Sequence, residues 1–379
     1  MPFSKIGLPE VLLKALKSEG YEKPFPIQQQ AMPAIIKGHD VLGIAQTGSG
    51  KTLAFALPIL MNLDVPAKEK SRELDALVLV PTRELAVQVE EVFKKFNALS
   101  ENPFVIKSVF GGVSINPQMK GLYGVNILVA TPGRLLDLHR SKALGLSKVK
   151  VLVIDEADKM LNLGFKDEMN EIISLLPEQR QNMLFSATLS DDVKSIHQLV
   201  LNKPIIIKIK PRDENLDLIN QSAYWVEDEK KGPLLRYLIK KNEMHQVLVF
   251  TSSVFKADMV VKKLFKHGID AMAIHSKKSQ GARTDALVKF KNKKLRVLVA
   301  TDLLSRGIDI AFLPYVINYE LPRSPKDFVH RIGRTGRAES PGEAITFINE
   351  AEEHHFKVIQ KKMGKQVEAT DAHLIDLTM

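Results

Sequence analysis

Two tandem α/β domains, each a doubly wound parallel sheet, are the fold class that this 379-residue sequence predicts. Three observations lead there. Short β-branched runs recur along the chain, longer stretches of helical patterning alternate with them, and the alternation breaks once near the middle. The runs are continuously apolar, as strands covered on both faces should be. Length agrees, since domains of roughly 150 residues make this chain two or three domains long.

Taken in order, the first-half strands are expected at Val41–Ala45, Ala76–Val80, Asn126–Ala130, Val151–Ile154 and Met183–Phe185. Those of the second half are expected at Val247–Phe250, Ala271–Ile274, Val297–Ala300, Val316–Tyr319 and Ala344–Ile348. Between them, helical patterning marks Arg83–Leu99, Phe165–Leu176, Ser253–His267 and Gln280–Phe290. The break is Ile209–Asn220, a charged stretch with Pro211 and little apolar periodicity. It is placed as a linker between a domain over 1–208 and a second over 221–364. A helix at Glu350–Met363 then leaves 365–379 as a short tail, with no room for an accessory domain. Several strands end in Thr or Ser before a polar turn, as at Pro81-Thr82 and Ala300-Thr301. That is the carboxyl edge, where open α/β sheets bind ligands.

Composition narrows the function classes. Lys and Arg number 54 against 44 Asp and Glu, a formal net charge of +10, which favours a polyanionic partner. There is no cysteine, so disulfides and thiolate metal sites are excluded. The first 17 residues lack the apolar core and cleavage site of a signal peptide. No apolar run approaches the roughly 20 residues of a membrane span. The expectation is a soluble, cytoplasmic protein.

The strongest local signal is Ala45-Gln-Thr-Gly-Ser-Gly-Lys-Thr52, a glycine-containing loop between a strand and the apolar helix Leu53–Met61. Gly48 and Gly50 let the backbone around Ser49 curl so that its N–H groups converge on phosphate oxygens. Lys51 would then reach the β- and γ-phosphates, and the Thr52 hydroxyl would ligate Mg2+. Ala45 stands where the usual first glycine would be. A second site follows the strand Val151–Ile154, in Asp155-Glu-Ala-Asp158. Asp155 is positioned to hold Mg2+ through water, and Glu156 to polarise water attacking the γ-phosphorus. The bland alternative for such acids is a solvated cap, which becomes hard to sustain beside the Lys51 loop.

Asp-Glu-Ala-Asp is also the name-giving motif of the DEAD-box helicases, and the rest of the chain resembles that family in order. It carries Pro81-Thr-Arg-Glu-Leu-Ala86, Gly111-Gly112, Thr131-Pro-Gly-Arg134, Ser186-Ala-Thr188 and Val249-Phe-Thr-Ser252. Then come Gln280-x-x-Arg283, Ala300-Thr-Asp302, Arg306-Gly-Ile-Asp309 and His330-Arg-Ile-Gly-Arg-Thr-Gly-Arg337. The resemblance spans nearly the whole chain. It implies two tandem RecA-like domains, ATP and Mg2+ as cofactors, and RNA-stimulated ATP hydrolysis at an interdomain cleft. Such a motor separates short RNA duplexes or remodels RNA–protein complexes without reading sequence.

Residue by residue, the resemblance implies adenine recognition by Gln28, stacking of the base on Phe3, and a ribose contact from Asp309. Phe25 replaces the family's usual Thr or Ser. Packing under the first helix is the competing reading for Phe3, and a helix N-cap for Asp309. Arg334 and Arg337 resemble arginine fingers supplied by the second domain, and three residues apart they share a face if the turn is helical. Such fingers contribute roughly 10³–10⁵ in rate, or about 4–7 kcal/mol. Thr82, Arg83, Gly112, Thr131, Arg134, Thr301 and Arg306 are implied to line one RNA strand through phosphates and 2′-hydroxyls. Ser186, Thr188, Asp158 and His330 are implied to couple nucleotide state to strand separation. The run Lys289–Lys294 reads as a solvated helix end and Glu352-Glu-His-His355 as a surface face. A monomeric RNA helicase core is the leading expectation. An ATP-gated RNA clamp or assembly platform with slow turnover is the alternative, and a translocating DNA helicase is disfavoured by the motif set.

Overall fold

The computed structural model describes residues 1–46, 48–63, 71–98, 103–210, 219–302, 313–336 and 342–377. The chain falls into two compact units, Met1–Pro211 and Arg212–Met379. The first contains β1 (Val41–Ile44), β2 (Ala76–Leu79), β3 (Ile106–Val109), β4 (Ile127–Ala130), β5 (Val151–Ile154), β6 (Gln181–Ser186) and β7 (Ile205–Lys208). These form one sheet in the order β3-β4-β2-β5-β6-β1-β7, with every neighbouring pair parallel. The second unit contains β8 (Ile219–Trp225), β9 (Val247–Thr251), β10 (Ala271–Ile274), β11 (Val297–Thr301), β12 (Tyr315–Asn318), β13 (Gly342–Ile348) and β14 (Ala369–Asp371). Its order is β10-β11-β9-β12-β13-β8-β14, also parallel throughout. Adding seven to each strand number of the first sheet reproduces the second, so the units share one topology.

The continuous apolar runs are explained by burial on both sides. Side chains alternate across a strand, so in β2 Leu77 and Leu79 enter one core while Ala76 and Val78 enter the other. In β9, Leu248 and Phe250 face one core and Val247 and Val249 the opposite one. Gly43 in β1 leaves room for a neighbour, since a Cβ there would lie 2.5 Å from the Phe185 ring. That ring is buried, 5.6 Å from the Phe55 ring of the helix after the glycine loop. Phe185 thus ties β6, β1 and that helix together.

Several expected boundaries move. β8 begins at Ile219, inside the stretch expected as linker, and residues 211–218 of it lie outside the described residues. Residues 365–379, expected as a tail, contribute β14, which pairs with β8 at Ala369–Asp371. It is a short polar edge strand whose partner supplies the pairing, so it lacks an apolar run of its own. β3 and β7 were not anticipated either. They are the outer strands of the first sheet, and the exposed isoleucines of β7 sit beside charged residues.

At the amino edge of the first sheet, buried Asp40 accepts from Asn182 N–H at 2.8 Å, Asn182 Nδ2 at 3.1 Å and Asn202 N–H at 2.8 Å. Three donors lose their acceptor in Asp40→Ala. The expected cost is about 2–4 kcal/mol of stability, read as a lower urea midpoint with unchanged nucleotide affinity. An unchanged midpoint would show that these bonds are replaced by water.

Candidate active site and nucleic-acid face

β1 delivers the chain into the glycine loop, and the helix Lys51–Asn62 follows directly. Gly50 caps that helix in the left-handed region, at φ 86°, which favours glycine. A Cβ there would also lie 2.5 Å from Gln28 Nε2 and 2.9 Å from Phe25 Cδ2. Lys51 is buried and donates to the loop's own Ala45 carbonyl at 2.8 Å. Its ammonium is therefore held inside the curl before any ligand arrives. Ser49 Oγ is buried with no hydrogen-bond partner among the described residues.

Gln28 has no exposed surface. Its carbonyl accepts from Phe25 N–H and its amide donates to the Gly50 carbonyl, both at 2.9 Å. The side chain acts here as a brace between the helix Pro26–Ile36 and the loop. Phe25 caps that helix without a side-chain bond, as a residue lacking the family's hydroxyl must, and Pro26 at the first helical position offsets the loss. Phe3 lies on the side of its competing reading. It is 5% exposed and packs with Leu12, Leu16, Leu53 and Phe96.

β5 ends at Asp155, which is buried and accepts from the Glu156 N–H at 2.9 Å. Burial raises its pKa to about 6; Glu156 adds to the rise, and Lys51 opposes it. Glu156 has φ 55°, a left-handed conformation costly for a residue with a side chain. Its carboxylate takes Lys159 Nζ at 2.7 Å. The next acid, Asp158, accepts from Thr188 Oγ1 at 3.2 Å, while Thr188 N–H donates to Ser186 Oγ at 3.4 Å. Three of the four residues expected to couple the sites are therefore bonded together in the first unit. The fourth, His330, lies on the helix Pro325–Ile332 of the second unit. The donors fit a hard cation beside an oxyanion: Thr52 and Asp155 offer oxygen, and Lys51 lies near Asp155.

Beyond the acids, the edge formed by β2, β3 and β4 gathers a second group. Thr82 caps the helix Arg83–Asn97 by accepting from Leu85 N–H at 3.3 Å. Arg83 donates to the Gly112 carbonyl at 3.4 Å, and a Cβ on Gly112 would lie 1.7 Å from its guanidinium. Thr131 Oγ1 accepts from Gly111 N–H at 3.4 Å. Arg134 is buried and donates through Nη2 to the Val113 carbonyl at 2.8 Å, while Nε lies 3.8 Å from Asp137 Oδ2 and neither Nε nor Nη1 has a hydrogen bond among the described residues. Burial lowers its pKa, partly offset by Asp137. A buried guanidinium with spare donors suits a phosphate.

In the second unit, Thr301 closes β11 and is buried. Arg306, Asp309 and Arg337 lie outside the described residues. The helix Pro325–Ile332 ends before Arg334, whose N–H bonds Arg331 O at 3.2 Å in a turn. Arg334 is thus not on a helical face, because the helix stops with Gly333. Sequence reasoning missed the part played by Arg331. It is 1% exposed and holds both Asp302 oxygens at 2.6 and 2.8 Å. Nη1 reaches Asn318 Oδ1 at 3.1 Å and the Glu320 carbonyl at 2.7 Å, with Phe250 beneath the guanidinium. Of the two described arginines in this motif, Arg331 lies within the helix and Arg334 beyond its end.

Residues 25–196 match the family described as DEAD/DEAH box helicase, and residues 229–339 match the helicase conserved C-terminal domain. The chain is 39% identical to ATP-dependent RNA helicase CshA of Limosilactobacillus reuteri, over 95% of this chain and 72% of that protein. It is 37% identical to ATP-dependent RNA helicase DeaD of Haemophilus influenzae, over 98% of this chain and 60% of that one. Among solved structures, S. cerevisiae Dbp5 bound to RNA and ADP BeF3 aligns with TM-score 0.82 at 29% identity, covering 98% of this chain and 95% of that one.

The raised carboxyl generates a pH prediction. Because Asp155 in the fold titrates near 6 against an ordinary 3.8, the folded protein binds its proton more tightly than the unfolded chain. Stability from this group is present at low pH and lost as pH rises through about 6. Asp155→Asn should therefore stabilise the ligand-free protein at pH 7.5 and progressively less toward pH 5, read by thermal unfolding. A pH-independent difference would contradict the burial of a charged carboxylate.

Proposed function

The chain belongs to the DEAD/DEAH box helicase family and is an ATP-dependent RNA helicase, and from that premise we propose how its residues divide the work. The observation that carries the division is that the Lys51 loop, the Asp155–Asp158 acids and the Thr82–Arg134 group all end strands of one parallel sheet. The glycine loop and Lys51 take the β- and γ-phosphates of ATP, which compete with the Ala45 carbonyl for the ammonium. Thr52 and Asp155 would hold Mg2+, which when bound neutralises phosphate charge. Glu156, held by Lys159, orients the attacking water and accepts its proton.

RNA phosphates run along Thr82, Arg83, Gly112, Thr131 and Arg134, continued by Thr301 and Arg306 of the second unit. These groups contact backbone and not base edges, so binding is independent of sequence. Thr188 bonds Asp158, two residues from Glu156, so a shift of either is transmitted to the other. Arg334 and Arg337 stabilise charge on the transferring phosphoryl group, making turnover depend on both units. No helix among the described residues is long and apolar enough to cross a membrane. We place the protein in the cytoplasm as a monomeric core.

Arg334→Ala and Arg337→Ala are each expected to lower RNA-stimulated ATP hydrolysis by about 10³-fold or more, with nucleotide affinity retained. Steady-state turnover alongside fluorescent-nucleotide titration checks this. Retained turnover in both variants would remove the finger assignment.

A further inference from the structure

The second unit contains a cavity of about 240 Å3 between the helices Lys231–Lys241 and Val254–Lys266. Its apolar wall includes Leu235 from one helix and Val260 and Leu264 from the other. Tyr319 also lines it and is 1% exposed. The phenol makes no hydrogen bond among the described residues, although its ring packs on Phe347. Burial pushes its pKa up, so it remains a donor at neutral pH.

Gly232 keeps the space open. A Cβ there would lie 3.8 Å from Tyr319 Oη and 4.0 Å from Lys263 Nζ, so two donors converge on one point. Arg236 also lines the cavity, and its Nε is buried without a hydrogen-bond partner among the described residues. Its Nη1 is occupied, 2.7 Å from His267 Nε2. Desolvation lowers the pKa of His267, with Arg236 adding to the effect, so the ring accepts as the neutral form. Glu229 is the one acid in the lining. Buried donors left unpaired are costly, and neither the ATP set nor the RNA set uses any of these residues.

We propose that this cavity binds a small organic carboxylate, with a flat apolar ring among Leu235, Val260 and Leu264 and its carboxylate on Tyr319, Arg236 and Lys263. The space is adequate, since an apolar cavity of about 150 Å3 holds benzene. An occupant would sit beside the network that orders the motif helix. Glu320, next in the chain, takes Ser252 N–H and hydroxyl at 2.8 Å each and gives its carbonyl to Arg331 at 2.7 Å.

The full-length protein is titrated with benzoate and indole-3-carboxylate, and with benzamide and indole-3-carboxamide as neutral isosteres, following Leu and Val methyl resonances. Both acids are expected to shift Leu235, Val260 and Leu264 and to bind about 10-fold tighter than their amides. Tyr319→Phe, which removes no protein hydrogen bond, should weaken the acids about 10-fold and leave the amides nearly unchanged. Gly232→Leu, which fills the space, should abolish binding while thermal unfolding confirms a folded chain. Equal affinity of acids and amides would overturn the proposal. So would unchanged binding in both variants, shifts confined to surface sites, or no shift at millimolar ligand.

Discussion

Parallel pairing throughout both sheets forces every strand to finish on the same side, and the chemistry of each unit collects on that edge. In the first unit β1 ends in the phosphate loop, β5 in Asp155 and Glu156, and β6 in Ser186. β2 and β4 end beside Thr82 and Thr131. A parallel strand must return by a crossover, so each connection brings a helix whose amino end also faces that edge. Backbone N–H groups, capping hydroxyls and arginines therefore meet there by topology, before any ligand is bound. The identical strand order of the second sheet places Thr251 and Thr301 at the corresponding edge.

Holding these groups ready has local costs that the surrounding core sustains. Gly50 and Glu156 both sit in the left-handed region, where only glycine is comfortable. Asp155 is buried deeply enough to resist ionisation, and Arg134 is buried with donors to spare. Each is relieved by the ligand expected of it, whether cation, water or phosphate. Such preorganisation is useful because donors already in place do not reorganise when charge develops. Arg331 represents the opposite case. Its guanidinium is satisfied by Asp302, Asn318 and Glu320, and it fixes the helix from which Arg334 projects into its turn.

Local chemistry was readable from the sequence where a short segment contains all it needs. The glycine loop, the acids after β5 and the Thr131–Arg134 turn are each contiguous in sequence and directly follow a strand. What depends on tertiary partners was hidden. Phe3 reads as a stacking ring by family resemblance, and its packing against the helices around it is visible only in the fold. Gln28 was visible as a functional amide, yet its acceptor, the Gly50 carbonyl, lies 22 residues away. β14 has no apolar signature because its pairing comes from β8. Arg331 looks like Arg334 until burial separates them.

The central claim, that one carboxyl edge couples ATP hydrolysis to RNA, is tested most directly by steady-state ATPase measurement. Turnover is compared without nucleic acid, with single-stranded RNA and with matched DNA, using Lys51→Ala as control. The account predicts strong stimulation by RNA, none comparable by DNA, and loss of activity in the variant. RNA binding without stimulated turnover, or equal stimulation by DNA, would contradict it.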